Sequence, residues 1–363
     1  MRVAIVHDYV TQRGGAERVV LRMLDAFPGA PLYTSLYEPD LTFPGFRAAD
    51  VRPLPMNRLA PLRRWHRLAF PLLARAFSGL EVPADVVFCS SSGWAHAART
   101  PGRKVVYCHA PARWLYQSDR YLRGRRGPAS AALAALRPRL LEWDRRAAAS
   151  AHRYLANSTE VSRRIRSIYG IEAEVLPPPP ALEPGSERPI PGLEPGFFLC
   201  VSRLLPYKNV DAVAAAFQSL PSERLVVVGS GPEQRRLAAD APANVRFCPS
   251  VTDEELRWLY GACIANVSAS YEDFGLTPLE AASFGRPSAV LRFGGFLDTV
   301  AEDETGVFFE EPTRDVIVEA LERVRSRAWE DNVLRAHAER FSGARFVRRL
   351  KEIAEAEALG AHE

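Results

Sequence analysis

Two carboxylates stand eight residues apart in the run Glu272-Asp-Phe-Gly-Leu-Thr-Pro-Leu-Glu280. Ionised carboxylates only accept hydrogen bonds, so such a pair suits a ligand rich in hydroxyls. The spacing also reads as a loop entering a helix. Thr277 is expected at the N-cap, Pro278 at the first helical position, and Glu280 closing a Thr-x-x-Glu capping box. The backbone N–H groups of Phe274, Gly275 and Leu276 lie ahead of that helix start, where an anion or a hydroxyl is favoured. Gly275 lets a ligand come close to the chain, and Glu272 sits in the loop just before.

A second constellation is Val201-Ser-Arg203-Leu-Leu-Pro-Tyr-Lys208. Both cations follow an apolar run that reads as a strand. A guanidinium fork and a compact ammonium together suit a diphosphate, although the same two residues also fit an ordinary solvated pair. In Tyr107-Cys-His109-Ala-Pro, the histidine follows another strand-like run and precedes a proline. A lone histidine is more often structural than catalytic, but the end of a strand is where a catalytic one would stand. Gly14 and Gly15 lie between the first strand and its helix, where a backbone can approach a ligand. Neither this pair nor Gly229-Ser-Gly231-Pro-Glu completes a dinucleotide fingerprint, because Gln234 stands where the third glycine would be.

The segment from Pro55 to Ser78 is basic and apolar together. It holds Arg58, Arg63, Arg64, Arg67 and Arg75 with Leu59, Leu62, Trp65, Leu68, Phe70, Leu72 and Leu73, and no acidic residue between Asp50 and Glu81. A basic helix carrying Trp and Leu reads as a membrane-surface element. A core-packed helix with a solvated arginine face fits the same residues, and Pro61 and Pro71 shorten any regular helix.

The elements that must position these groups follow from the hydropathy pattern. Apolar runs at 3–9, 31–37, 84–92, 104–110 and 153–158 read as buried strands, with helical spacing between them, as in 14–27 and from Pro138 to Ala151. Residues 176–196 are dominated by Pro and Gly and read as a semi-rigid linker. The rhythm resumes with strands expected at 196–204, 223–231, 244–251, 263–270 and 286–293. Thr252 and Glu255 are expected to form a capping box, and the tail from about Pro312 reads as helical throughout. Strand alternating with helix implies parallel sheets covered on both faces. The expected architecture is therefore α/β: two doubly wound Rossmann-like domains facing across a cleft, with ligands outside the carboxyl ends of the strands. The expected boundaries are 1–180, 181–340 and a last helix in 341–363.

Composition narrows the classes. A chain of 363 residues with 47% hydrophobic and 25% charged residues is an ordinary globular protein. Its five cysteines, Cys89, Cys108, Cys200, Cys248 and Cys263, show no ligand spacing and sit in apolar runs. Reduced, buried thiols are expected, and neither a metal site nor a cofactor. No signal peptide or membrane-spanning stretch is expected, which reads as cytoplasmic. The net charge of +4 conceals an asymmetry. Residues 1–180 carry 27 Lys and Arg against 14 Asp and Glu, while residues 181–363 carry 20 against 29. The basic first half points to an anionic partner such as a membrane surface, and no reader motif points to nucleic acid.

Together these residues resemble the retaining glycosyltransferases of the GT-B fold, family 4 type. The resemblance runs through the glycine pair, the strand-end His109, Arg203 and Lys208, the GSGPE strand end and the two spaced glutamates, in that order. The Tyr107-Cys-His-Ala-Pro stretch is similar to a segment of bacterial mannosyltransferases that build surface polysaccharides or glycolipids, with Ala110 where Thr is usual. The resemblance implies that Arg203 and Lys208 grip the diphosphate of a nucleotide-sugar donor. It implies that Glu272 contacts sugar hydroxyls beside the backbone of Asp273, Phe274, Gly275 and Leu276, and that Glu280 binds the ribose. His109 would lie near the transferred sugar, Gly14 and Gly15 near the phosphates, and Ser250 and Val251, within the stretch 250–254, along the base. The last helix would cross back onto the first domain. The implied reaction is retaining, metal-independent hexosyl transfer, with GDP-mannose as the leading donor and a saccharide or lipid-linked acceptor. The protein would then sit in the cytoplasm, peripherally on the inner face of the membrane. A sugar-nucleotide epimerase and a non-catalytic nucleotide-sugar binder remain open, whereas the missing fingerprint argues against an NAD-dependent dehydrogenase.

Overall fold

The computed structural model describes residues 1–65, 69–117 and 128–360. The chain divides into two units: residues 1–178 with 343–363, and residues 179–342.

The first unit holds seven strands: β1 (Val3–His7), β2 (Leu32–Thr34), β3 (Val51–Pro53), β4 (Val86–Ser91), β5 (Arg103–Cys108), β6 (Arg153–Ala156) and β7 (Glu174–Val175). They lie in the order β3-β2-β1-β4-β5-β6-β7, and every neighbouring pair is parallel. Alternate residues feed two cores. Ala4, Val6, Val87, Cys89, Val106 and Cys108 point to one face. Ile5, Val86, Phe88, Val105 and Tyr107 point to the other. A strand buried on both sides has no polar face to show, which is why these segments read as continuous apolar runs. The helix Gly343–Leu359 returns to this unit and buries Phe346, Leu350, Ile353 and Ala354 in the second of these cores, with Val19, Val20 and Met23 of the helix Gly15–Ala26. Its Glu357 pairs with Arg103 at 3.0 Å and Arg153 at 2.9 Å.

The second unit holds β8 (Phe198–Val201), β9 (Leu225–Val228), β10 (Val245–Cys248), β11 (Ala265–Ser268), β12 (Ser288–Leu291) and β13 (Gly306–Phe309). Their order is β10-β9-β8-β11-β12-β13, again all parallel. In each sheet the strand order reverses once, between β1 and β4 and between β8 and β11. A crevice opens at such a reversal because successive connections leave on opposite faces of the sheet.

The tail after Pro312 is helical as expected, in three helices, Arg314–Ser326, Asp331–Glu339 and Gly343–Leu359. Several expectations are corrected. The helix expected to begin at Pro138 runs over Pro128–Ala149 with that proline inside it. The proline-rich stretch is no free spacer. Leu182 and Leu193 are buried in the second unit's core, and Arg188 N–H donates to the Glu254 carbonyl at 3.1 Å. Two leucines among the prolines suffice to dock the strap. The basic segment is a 3-10 turn, Pro55–Arg58, and two short helices, Ala60–Arg64 and Phe70–Ser78. Arg67 and Leu68 lie outside the described residues. Ala69, Leu73 and Phe77 enter the core, while Leu59, Trp65 and Leu72 stay exposed. Arg63 is tied to Glu38 at 2.9 Å. All five cysteines are free and buried, as expected.

Candidate active site

In the second unit the site is built at the reversal of the sheet. After β8 the chain turns through Ser202 and Arg203 into a 3-10 turn, Pro206–Lys208. Asn209 then adopts a left-handed conformation, φ 50°. Asparagine tolerates that region, and its side-chain amide donates to the Ala269 carbonyl at 2.8 Å. This bond joins the loop after β8 to the loop after β11. The result is that Lys208, buried to 7% exposure, reaches the carboxylate of Glu272 in an ion pair. Ser270 Oγ donates to the same oxygen at 3.2 Å, and Ser268 Oγ lies 2.9 Å from Ser270 Oγ. Glu272 keeps a quarter of its side chain exposed. Arg203 is exposed and, among the described residues, its guanidinium has no carboxylate partner. The two cations therefore differ: Lys208 is held and neutralised, whereas Arg203 is open.

Close glycine contacts hold both loops. Gly229 adopts φ +126°, and a Cβ there would run into the Ser202 carbonyl. A Cβ on Gly231 would meet the backbone of Leu204. Ser202 N–H donates to Val228 O and Leu204 N–H to Ser230 O, both at 2.9 Å. The glycines of the GSG run thus serve to seat the Arg203 loop. On the other side, Gly294 (φ +57°) lies against the Glu272 carbonyl, where a Cβ would collide, and Gly295 N–H donates to that carbonyl at 3.1 Å. Gly294, Gly295 and Ser270 escape the sequence reading. The only signal was a glycine pair just past a strand end.

The helix after this loop spans Thr277–Ser283. The expected capping box is not formed. Leu276 is the N-cap with helical angles, φ −77° and ψ −30°, and no side chain caps it. Thr277 is the first helical residue, too far along for its hydroxyl to cap. Glu280 is instead buried, accepting from Tyr260 Oη at 2.7 Å and from Ala181 N–H at 3.3 Å. Asp273 and Phe274 are buried, and Gly275 turns with φ +83° against the Phe296 ring. The expected capping box of Thr252 and Glu255 is present at the helix Asp253–Ala262. Ser250, exposed, and Val251, half-buried, lead into it.

In the first unit, polar groups gather at the carboxyl ends of β1, β4 and β5. Asp8 is buried and accepts from Ser92 N–H at 2.6 Å and Ala95 N–H at 2.7 Å. Burial pushes its carboxyl up to about 6 despite those donors. His109 Nε2 lies 2.8 Å from Ser90 Oγ, and His7 Nδ1 lies 3.0 Å from the same hydroxyl. Burial lowers His7 to about 4. Burial first, and His7 second, lower His109 to about 3. Both rings are neutral at physiological pH. Gly14 caps the helix Gly15–Ala26 with no side-chain bond. The Glu17 carboxylate lies beside it, so an anion at the two glycines would share the space with a buried acid.

Comparison with known proteins follows this layout. Residues 13–183 match the family described as Glycosyltransferase Family 4, and residues 187–340 match Glycosyl transferases group 1. A D-inositol 3-phosphate glycosyltransferase of Acidothermus cellulolyticus is 32% identical over 193 residues, covering 45% of this chain and 43% of that protein. A glycogen synthase of Thermus thermophilus is 32% identical over 177 residues, covering 47% and 40%. The chain thus spans less than half the length of these curated relatives. Among solved structures, Anabaena HepE in complex with UDP-glucose superposes with a TM-score of 0.70 at 16% identity, over 98% of this chain and 100% of that one. The lipopolysaccharide outer core galactosyltransferase WaaB superposes at 0.63 and 18%, over 100% of both chains. In fold the chain is GT-B, two domains each built on a parallel Rossmann-like sheet, and its two halves match, one each, the models of Glycosyltransferase Family 4 and Glycosyl transferases group 1.

Proposed function

We propose that the chain is a retaining, metal-independent glycosyltransferase that moves a hexosyl group from a nucleotide sugar to a saccharide or lipid-linked acceptor, with GDP-mannose as the leading donor. The observation that carries the reading is the ion pair of Lys208 and Glu272 at the reversal of the second sheet, with Arg203 exposed in the same loop after β8. Departure of a nucleoside diphosphate leaves negative charge on the leaving oxygen, and the sugar carbon becomes oxocarbenium-like. Preorganised cations at the position of that charge lower the barrier, the electrostatic effect that dominates in most enzymes. Arg203, exposed, would meet the diphosphate as it enters. Lys208 already has a partner, so donor binding exchanges one anion for another. The ammonium turns to the phosphates, and Glu272 is released to accept hydrogen bonds from sugar hydroxyls. The two cations take the part that a divalent ion plays elsewhere. The leaving phosphate then helps deprotonate the acceptor, on the face it has just left. Glu280, oriented by Tyr260, would receive the ribose hydroxyls, with Ser250 and Val251 along the base.

The test is a panel of GDP-mannose, UDP-glucose and UDP-N-acetylglucosamine, read by release of nucleoside diphosphate and by mass spectrometry of the donor. Turnover with transfer supports the reading. Donor isomerised without an acceptor would make it an epimerase, and binding without turnover a non-catalytic binder. A peripheral place on the inner face of the membrane belongs to the same proposal. The exposed Leu59, Trp65 and Leu72 beside Arg58, Arg64 and Arg75 support it, and among the described residues no helix is long and apolar enough to cross a bilayer. Salt-sensitive sedimentation with anionic but not neutral vesicles is the expected result. Equal binding to both would remove it.

A further inference from the structure

The polar chain at the strand ends of the first unit fixes where its protons are. His7 and Ser90 are register partners across β1 and β4. His7 Nδ1 lies 3.1 Å from the Ser90 carbonyl oxygen as well as 3.0 Å from its hydroxyl. A carbonyl can only accept, and a lone pair on His7 Nδ1 would face that oxygen at 3.1 Å and repel it, so the geometry favours a proton on His7 Nδ1. The Ser90 hydroxyl hydrogen then cannot point at His7. Among the described residues its other side-chain neighbour is His109 Nε2, at 2.8 Å, which then receives it with a lone pair. A neutral imidazole that accepts at Nε2 carries its proton at Nδ1. The opposite arrangement, with His109 donating from Nε2, would turn the Ser90 hydroxyl toward His7 Nδ1 and set that lone pair against the Ser90 carbonyl oxygen at 3.1 Å, an unfavourable contact in a buried site.

The ring cannot escape the arrangement by moving as a whole. His109 N–H donates to the Ser91 carbonyl at 2.9 Å, Asn157 Nδ2 donates to the His109 carbonyl at 3.0 Å, and the Tyr107 ring packs edge-on at 5.2 Å. Among the described residues His109 Nδ1 has no hydrogen-bond partner, and the residue keeps part of its surface open.

We propose that Ser90 and His7 are positioning residues that lock His109 as the Nδ1–H tautomer, so that the first unit presents a ring N–H donor at the carboxyl end of β5. The direction of the relay is His7 Nδ1–H to Ser90, then Ser90 Oγ–H to His109 Nε2. A donor there selects for an oxygen acceptor on the ligand, and it cannot act as a base at that atom. That this oxygen is a hydroxyl of the transferred sugar rests on the function proposed above, whereas the tautomer itself does not.

The experiment is long-range proton–nitrogen correlation NMR on the full chain labelled at histidine, with His109→Gln to assign the His109 signals. The expected spectrum has a pyrrole-type Nδ1 and a pyridine-type Nε2 for His109. In Ser90→Ala that preference is lost toward the Nε2–H form, and in Ser90→Thr, which keeps a hydroxyl, it is retained. An Nε2–H form in the wild-type protein overturns the proposal whether or not the variants fold, and so does an unchanged tautomer in Ser90→Ala. Kinetics supply the second readout. Losing one well-placed donor is worth about tenfold in kcat with KM for the nucleotide sugar unchanged. An unaltered kcat in Ser90→Ala contradicts the positioning role. If the wild-type protein turns over no nucleotide sugar while its spectrum is as expected, the proposed function fails and the tautomer stands.

Discussion

The two units place their polar groups at the same point of similar sheets and use opposite electrostatics. In the first unit, His7 and His109 are held neutral by burial and joined through a hydroxyl. In the second, Lys208 and Glu272 are ionic partners with Arg203 exposed nearby. Burial alone does not set the difference, since Lys208 is nearly as buried as His7. The partner does. Lys208 is buried against a carboxylate, its ion-pair partner, whereas His7 and His109 have only a serine hydroxyl between them.

The comparison breaks most visibly at Lys208. Lys208→Gln removes the held cation, and kcat for sugar transfer should fall about 10²–10³-fold, the range for losing one preorganised electrostatic donor. Steady-state release of nucleoside diphosphate measures it, and a fall of only a few-fold would show that the cation is not aimed at the leaving group. Tyr260→Phe leaves one Glu280 oxygen without its phenol. The second unit should lose about 2 kcal/mol, within the range for a hydrogen bond to a carboxylate, measured by denaturant unfolding.

The neutral site predicts a pH dependence. In the unfolded chain both histidines bind protons below their ordinary 6.5, while in the fold they stay neutral until about 4 and about 3. The first unit therefore loses stability as pH falls below 6.5. Asp8 works against this below about 6, because its raised carboxyl takes up a proton in the fold before it does so in the unfolded chain. From pH 6 to 5 the net is close to one extra proton on the unfolded state, a loss of about 1.4 kcal/mol per pH unit. Denaturant titrations at several pH values check it, and a flat profile would show that the histidines are not buried neutral. The smallest effect is expected at Arg203. Arg203→Ala should leave stability within about 0.5 kcal/mol, as for other exposed positions without a partner, while KM for the donor rises.

The strands were legible because burial on both faces writes them as unbroken apolar runs. β13, Gly-Val-Phe-Phe, carries the same signal but is short, and it went unassigned between the last strand expected, at 286–293, and the helical tail from about Pro312. β7 spans two residues and carries no pattern at all. Among the site residues, Arg203, Lys208 and Glu272 were legible from charge at strand ends. Their inequality was not, because it depends on Asn209 tying two loops that lie 60 residues apart. Glu280 illustrates the limit of local spacing. A threonine three residues ahead predicts a capping box, yet the carboxylate goes to Tyr260, a partner on another helix. Ser90 carried no motif, and only the register of β4 between β1 and β5 gives it two histidines.

The most direct test of the cation pair is calorimetric binding of nucleoside diphosphates and monophosphates, GDP with GMP and UDP with UMP, to the wild-type protein and to Arg203→Ala with Lys208→Gln. If the two cations hold the departing diphosphate, the wild-type protein binds one of the diphosphates at least about tenfold tighter than its monophosphate, and the double variant shows no such preference. The same preference in both proteins would contradict it.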